Sequence, residues 1–194
     1  MPVFYVTPLH FFFIGASALI CARIAAFVIR ATSGLAIIPR REIVKWIFSF
    51  YLLTTICWTF FPVRYTVTGV PPTFFPADIN LIPFKTIVET FGVLFSQFDI
   101  GFKLCAIFGY IGGSFLLLFP FGFFLPQLSV HLRSYPRCFL LSLLLSLCIL
   151  IIQFAEVSYG ISDGHTVSID TLALNVVGAL FGFFCWGTLR RKYC

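Results

Sequence analysis

The stretch CFLLSLLLSLCILIIQFAEVSY, from Cys138 to Tyr159, decides the fold. It holds one charged residue, Glu156, near its far end, and its apolar residues run around every face instead of along one stripe. A helix of that kind is buried in a large core or crosses a membrane. Spanning the hydrocarbon layer takes about 20 apolar residues, which this stretch supplies. Four further blocks match it in length and character: Leu9 to Ile29, Ile43 to Phe61, Leu104 to Leu125 and Ile169 to Leu189. The whole chain agrees. Of its 194 residues 60% are hydrophobic and 10% charged, whereas soluble domains run at about 45–50% and about 25%. The mean hydropathy is +1.03. The expected fold class is all-α: a polytopic transmembrane helical bundle of about five spans.

Three regions follow from the spacing of the blocks. Residues 1–63 carry two N-terminal spans, residues 64–103 form a segment at the membrane surface, and residues 104–194 carry a three-helix core. The formal charge of +6 does not indicate nucleic acid, because the basic residues sit thinly at the edges of apolar blocks. Lys and Arg concentrate in cytoplasmic loops. Arg30, Arg40, Arg41 and Lys45 lie between spans one and two, Arg133 and Arg137 between three and four, and Arg190, Arg191 and Lys192 after five. The expected orientation therefore has the N-terminus outside and the C-terminus inside. Trp46, Trp58 and Trp186 fall near span ends, as interfacial aromatics do. Arg23 lies within span one, either as a side chain snorkelling to the interface or as a functional charge. No basic region precedes the first apolar block, so a cleaved signal peptide is not expected. The seven cysteines form no CxxC pair, which argues for packing residues and against a disulfide framework or zinc site. No metal and no cofactor is expected.

On this topology, six of the seven acidic residues (Asp78, Glu89, Asp99, Glu156, Asp163 and Asp170) fall outside. They either keep outer loops soluble without disturbing orientation or surround a polar site. The connection between spans two and three is rich in Phe and Pro. Pro71, Pro72, Pro76 and Pro83 break it into extended or turn segments. Lys85 to Ser96 then places Ile87, Val88, Phe91, Leu94 and Phe95 at helical spacing, as an interfacial helix would. Within the spans, Ser142, Ser146, Gln153 and Glu156 align in span four, and Thr171, Asn175, Gly178 and Gly182 in span five. Buried amides and small residues are the means by which membrane helices meet, so Gln153 and Asn175 are either interhelical partners or ligand contacts. Two GxxxG pairs, Gly109/Gly113 and Gly178/Gly182, offer close helix approach. Pro120 is expected to kink span three, with Gly122 easing the distortion. Ser168 and Asp170 stand where either can cap span five.

Three segments together resemble the VanZ-like membrane protein family: Asn80-Leu81-Ile82-Pro83-Phe84, Ser114 through Phe119-Pro120-Phe121-Gly122, and Gln153 with Asp170, Asn175, Gly178 and Gly182. The resemblance runs from about Asp78 to Trp186 and leaves out the first two spans. The chain departs from the family pattern at Ser114, where an Asn is usual, at Leu150 (Glu), near His165 (Arg) and at Thr171 (Asp). Glu156, one turn beyond Gln153, is an acid in the same region. The resemblance implies a multi-pass protein of a bacterial cell membrane and a link to resistance against lipid-tailed glycopeptides of the teicoplanin type. It does not supply a mechanism.

Three functions are open at this point. The first is binding of an amphiphilic or lipid-linked molecule, such as a membrane lipid, an envelope precursor or a lipoglycopeptide, at an outward site. Asn80, Pro83, Lys85, Ser114, Gln153, Glu156, Asp170 and Asn175 are its candidate residues. The second is an intramembrane enzyme acting on a lipid head group, with Asp170 or Glu156 as general acid or base and His165 and Asp163 nearby. The third is a small-molecule transporter, which paired broken helices and an internal repeat would favour; one break and no repeat are visible.

Overall fold

The computed structural model describes residues 3–6, 8–33, 39–60, 63–66, 79–80, 82–92, 99–158 and 167–193. Its helices are α1 (Pro8–Thr32), α2 (Pro39–Phe60), the short α3 (Lys85–Gly92), α4 (Ile100–Ile107), α5 (Gly113–Leu128), α6 (Tyr135–Ser158) and α7 (Ile169–Tyr193). A π-helical turn, Phe108–Gly112, joins α4 to α5, and a 3-10 turn, Val130–Leu132, follows α5. Among the described residues, five helices are long and apolar enough to cross a membrane, with Ile100–Leu128 counting as one. The protein is an all-α multi-pass membrane protein. Two short pairings supplement the helices: β1 (Val3–Val6) runs antiparallel to β2 (Val63–Thr66), and β3 (Ile79–Asn80) parallel to β4 (Val167–Ser168).

The core lies where α5 and α7 cross. Leu118, Phe121 and Leu125 from α5, Cys138 from α6, and Ala179 and Phe183 from α7 are buried together, and Phe48, Tyr51 and Leu52 of α2 pack against them. Without water to drive apolar association in lipid, such a seam depends on close packing. Glycine provides it. A Cβ added to Gly122 would overlap the Ala179 backbone, one on Gly178 the Phe115 backbone, and one on Gly182 the Phe119 backbone.

The other GxxxG pair behaves differently. Gly109 and Gly113 meet nothing within 4 Å of an added Cβ. Gly109 lies inside the π turn and Gly113 follows it, and the wider turn points both positions into open space. Close helix approach at this pair is thus corrected. The irregularity of span three also lies at this turn, upstream of the expected site, and the helix hydrogen-bonded as α5 runs through both Pro120 and Pro126. Pro120 leaves the Leu116 carbonyl without its usual amide donor; the next carbonyl, that of Leu117, accepts the Tyr51 hydroxyl at 2.5 Å. Gly122, expected to relieve a bend, serves instead as the contact point for α7.

Helix α1 is peripheral and packs on α2. Its buried-charge question has an electrostatic answer. Glu42 accepts from Arg30 and Lys45 at 2.6 Å each, and Arg23 stands 3.8 Å from its other oxygen with its guanidinium 5.6 Å from the Trp46 ring centre. Arg23 is therefore part of an ion-pair cluster that ties α1 to α2.

Candidate functional site

The first turn of α7 and the start of α3 are built around one carboxylate. β4 runs directly into α7, and its pairing with β3 aligns Asn80 with Ser168. The Ser168 side chain accepts the Asp170 amide at 3.1 Å, which caps α7. Asp170 is thereby freed for another task. Its Oδ1 accepts the amide of Phe84 at 2.6 Å, and its Oδ2 accepts those of Thr86 at 2.9 Å and Ile87 at 3.2 Å. These are orphan donors at the entry to α3, since the first amides of any helix have no intrahelical acceptor. A carboxylate at that end also meets the positive pole of the helix dipole. Asp170, 3% exposed, thus caps a helix distant in sequence from its own.

The surrounding hydroxyls and amide close the arrangement. Asn80 donates from Nδ2 to Thr86 Oγ1 at 2.6 Å and accepts the Ile82 amide at 3.3 Å, forming a side-chain turn. Thr86 Oγ1 lies 2.9 Å from Ser168 Oγ. The Ile82-Pro83-Phe84 turn is tight enough to place Phe84 at φ 66°, a conformation disfavoured for a bulky side chain. The Phe84–Asp170 bond holds the chain there.

This docking fixes the faces of α3. Thr86, Ile87 and Thr90 turn inward and are half-buried, whereas Phe84, Val88 and Phe91 are 68%, 65% and 45% exposed at helical spacing. Lys85 and Glu89 occupy a third face and approach each other at 3.9 Å. The helix has an apolar face and a charged face, as expected of one lying in the membrane interface. It is described as far as Gly92; the remainder of the expected helix to Ser96 lies outside the described residues.

The candidate residues divide into groups. Asn80 and Asp170 converge through Thr86 and Ser168. Asn175 lies deeper, 1% exposed, donating to Ser146 Oγ at 3.1 Å while its Oδ1 has no partner. Beside it, the π turn carries Tyr110, whose hydroxyl is 3.1 Å from Thr171 Oγ1. Helices α6 and α7 pack together, with β4 against α6, so the Ser146–Asn175 bond sets the level of one against the other. At about 1.5 Å per residue, Gln153 is level with Ser168 and Glu156 stands about one turn beyond. Gln153 is half-buried, and so is Glu156, whose Oε2 has no hydrogen-bond partner. Pro83 and Lys85 are exposed on the turn and on α3. Ser114, half-buried at the start of α5, makes no bond to this cluster. Asp78, Asp163 and His165 lie outside the described residues, among which no group of three His, Cys, Asp or Glu residues is placed to hold a metal.

A family model described as VanZ/LLP1 matches residues 48–190. The chain belongs to the VanZ/LLP1 family. The match begins at Phe48, inside α2, so the family region reaches further toward the N-terminus than the motifs from Asp78 onward indicate. Packing explains this extension: Phe48 and Tyr51 lie against the α5 core of the VanZ/LLP1 region. Comparison with curated proteins and with solved structures found no match.

Thr86 and Tyr110 are the polar partners that the sequence does not single out. Thr86 had a local signal, following the Asn80–Phe84 motif by two residues at the start of a helix. Ser146 was visible only as a member of the aligned polar face of span four. Nothing in the sequence pairs Tyr110 with Thr171.

Proposed function

We propose that this VanZ/LLP1 protein sits in a bacterial cell membrane with its Asp170 end outside, and there binds an amphiphilic or lipid-linked molecule of the cell envelope. The docking of α3 on Asp170 carries this reading. It holds a charged surface, Lys85 and Glu89, and an apolar one, Phe84, Val88 and Phe91, at the rim of the bundle. Half-buried Gln153 and Glu156 supply polar groups at about the same level. Asn80 and Asp170 shape the rim through their bonds to backbone amides, and Pro83, exposed in the turn they hold, and Ser114 are proposed as further ligand contacts. Asn175 braces α6 beneath it. An acyl tail would lie along the rings of Phe115, Phe119 and Phe181, which are 5.7 and 6.0 Å apart. This chemistry suits a lipid-tailed glycopeptide of the teicoplanin type or a lipid-linked precursor.

The test uses groups that the fold does not consume. Lys85→Ala and Glu156→Gln are expected to change the sensitivity of expressing bacteria to a teicoplanin-type antibiotic while protein abundance stays level. Wild-type sensitivity in both variants at normal abundance removes the proposal. Enzymatic action on a lipid head group is the second reading, favoured by the partnerless Glu156 oxygen; Asp170, holding three amides, is unsuited to proton transfer. Incubating purified protein with radiolabelled envelope lipids distinguishes it, since turnover that Glu156→Gln abolishes would make the protein an enzyme.

A further inference from the structure

The opposite end of α7 has a different chemistry. A cleft of about 520 Å³ opens there, lined by Arg133 from the α5–α6 connection, Tyr135 at the start of α6, and Phe183, Trp186, Arg190 and Arg191 of α7. Two guanidinium groups share one indole: that of Arg133 lies 5.7 Å from the Trp186 ring centre and that of Arg190 5.6 Å. Stacking on an aromatic face positions a guanidinium without using its N–H donors. Arg133 is fixed further by donating Nε–H to the Pro126 carbonyl at 3.1 Å, which leaves its terminal amino groups for another acceptor. The floor is apolar, with Tyr135 edge-on to Phe183 at 4.7 Å.

Among the described residues, no carboxylate pairs with these arginines. Of the carboxylates among the described residues, Glu42 is engaged by Arg23, Arg30 and Lys45, and Glu89 stands beside Lys85. None pairs with Arg133, Arg190 or Arg191. Orientation by positive residues needs charges near a span end; it does not need two of them stacked on one ring around a cavity. An apolar track also leads away from the cleft. Val177, Phe181 and Phe184 are 54%, 49% and 51% exposed, spaced to fall on one face of α7 that would contact lipid.

We infer that this cleft is a binding site for the head group of an anionic phospholipid, whose phosphate bridges Arg133 and Arg190 while one acyl chain follows Val177, Phe181 and Phe184. Basic pockets between membrane helices bind such head groups, and arginine suits phosphate through paired donors. A zwitterionic lipid leaves the cationic excess uncompensated, and a free phosphate has no use for the apolar track. The head-group site is separate from that of the proposed function at the Asp170 end, although both readings bring the end of a tail against Phe181.

Full-length protein in nanodiscs of phosphatidylcholine with phosphatidylglycerol is to be released and weighed by native mass spectrometry. Wild type is expected to retain phosphatidylglycerol over phosphatidylcholine, and Arg133→Gln with Arg190→Gln to reduce that preference at least about tenfold, the loss of a charge-assisted phosphate contact. Arg137→Gln removes a charge at the same end but outside the cleft and is expected to keep the preference. Arg190→Gln alone, at an exposed position, gives the reading where the double variant does not fold. Equal retention of both lipids by wild type, or an unchanged preference in Arg190→Gln and the double variant, overturns the assignment. So does loss of the preference in Arg137→Gln, which reduces the effect to general surface charge, or displacement of the lipid by millimolar inorganic phosphate, which makes the cleft a site for the free anion.

Discussion

The two ends of α7 use their charged groups in opposite ways. At the start of the helix, Asp170 is buried and both its oxygens accept backbone amides, those of Phe84, Thr86 and Ile87. At the finish, Arg190 and Arg191 are exposed and Arg133 and Arg190 rest on Trp186 without any carboxylate among the described residues. The difference teaches that formal charge does not identify a binding group in a membrane protein. A charge satisfied by the chain's own backbone is architecture; a charge positioned by stacking, with its terminal N–H donors unused, remains available to a ligand.

Three substitutions probe this contrast, beginning with the seam that holds both ends in place. Gly122→Leu forces a side chain into the Ala179 backbone and is expected to destabilise the bundle by about 3 kcal/mol or more. Size-exclusion profiles of detergent-solubilised protein would show most of it aggregated; a normal profile would mean that α5 and α7 can separate without loss. Asp170→Ala comes next, because unsatisfied buried donors cost about 1–3 kcal/mol each and part of that returns where water enters. The expected loss is about 3 kcal/mol in thermal unfolding, with faster hydrogen exchange at the amides of Phe84, Thr86 and Ile87. Exchange unchanged at those amides would show that the α3 entry is held by something else. Smallest is Arg190→Gln, expected to shift stability by no more than about 0.5 kcal/mol, since its stacking partner keeps Arg133. A large fall in melting temperature there would make the cationic end as structural as the acidic one.

The spans were legible in the sequence because the bilayer imposes length and composition on each of them independently. The helix at Lys85–Gly92 was legible for a similar local reason, the helical spacing of Ile87, Val88 and Phe91, although the structure turns Ile87 inward and leaves Val88 and Phe91 exposed. Partners were harder to read. Gly178/Gly182 and Gly109/Gly113 present the same spacing, yet only the first pair lies in a seam, because spacing does not say which face a helix turns to its neighbour. The distortion near span three appeared to belong to Pro120, the strongest local breaker, whereas the backbone widens at Phe108–Gly112, where Tyr110 reaches Thr171. Capping by Asp170 was expected within its own helix. Its true acceptor role depends on β3 pairing with β4, a contact across most of the family region that one-dimensional patterns do not contain.

The Phe84 amide and its acceptor are separated by 86 positions. A ribosome adding about 5–20 residues per second therefore delivers Asp170 several seconds after Phe84 has emerged. Throughout that interval the surface helix has no carboxylate at its entry, and the turn before it has nothing to hold its left-handed residue. Biogenesis of the rim must therefore conclude with insertion of the last span, and a nascent chain arrested earlier would expose the Asn80–Phe84 turn to quality-control proteases.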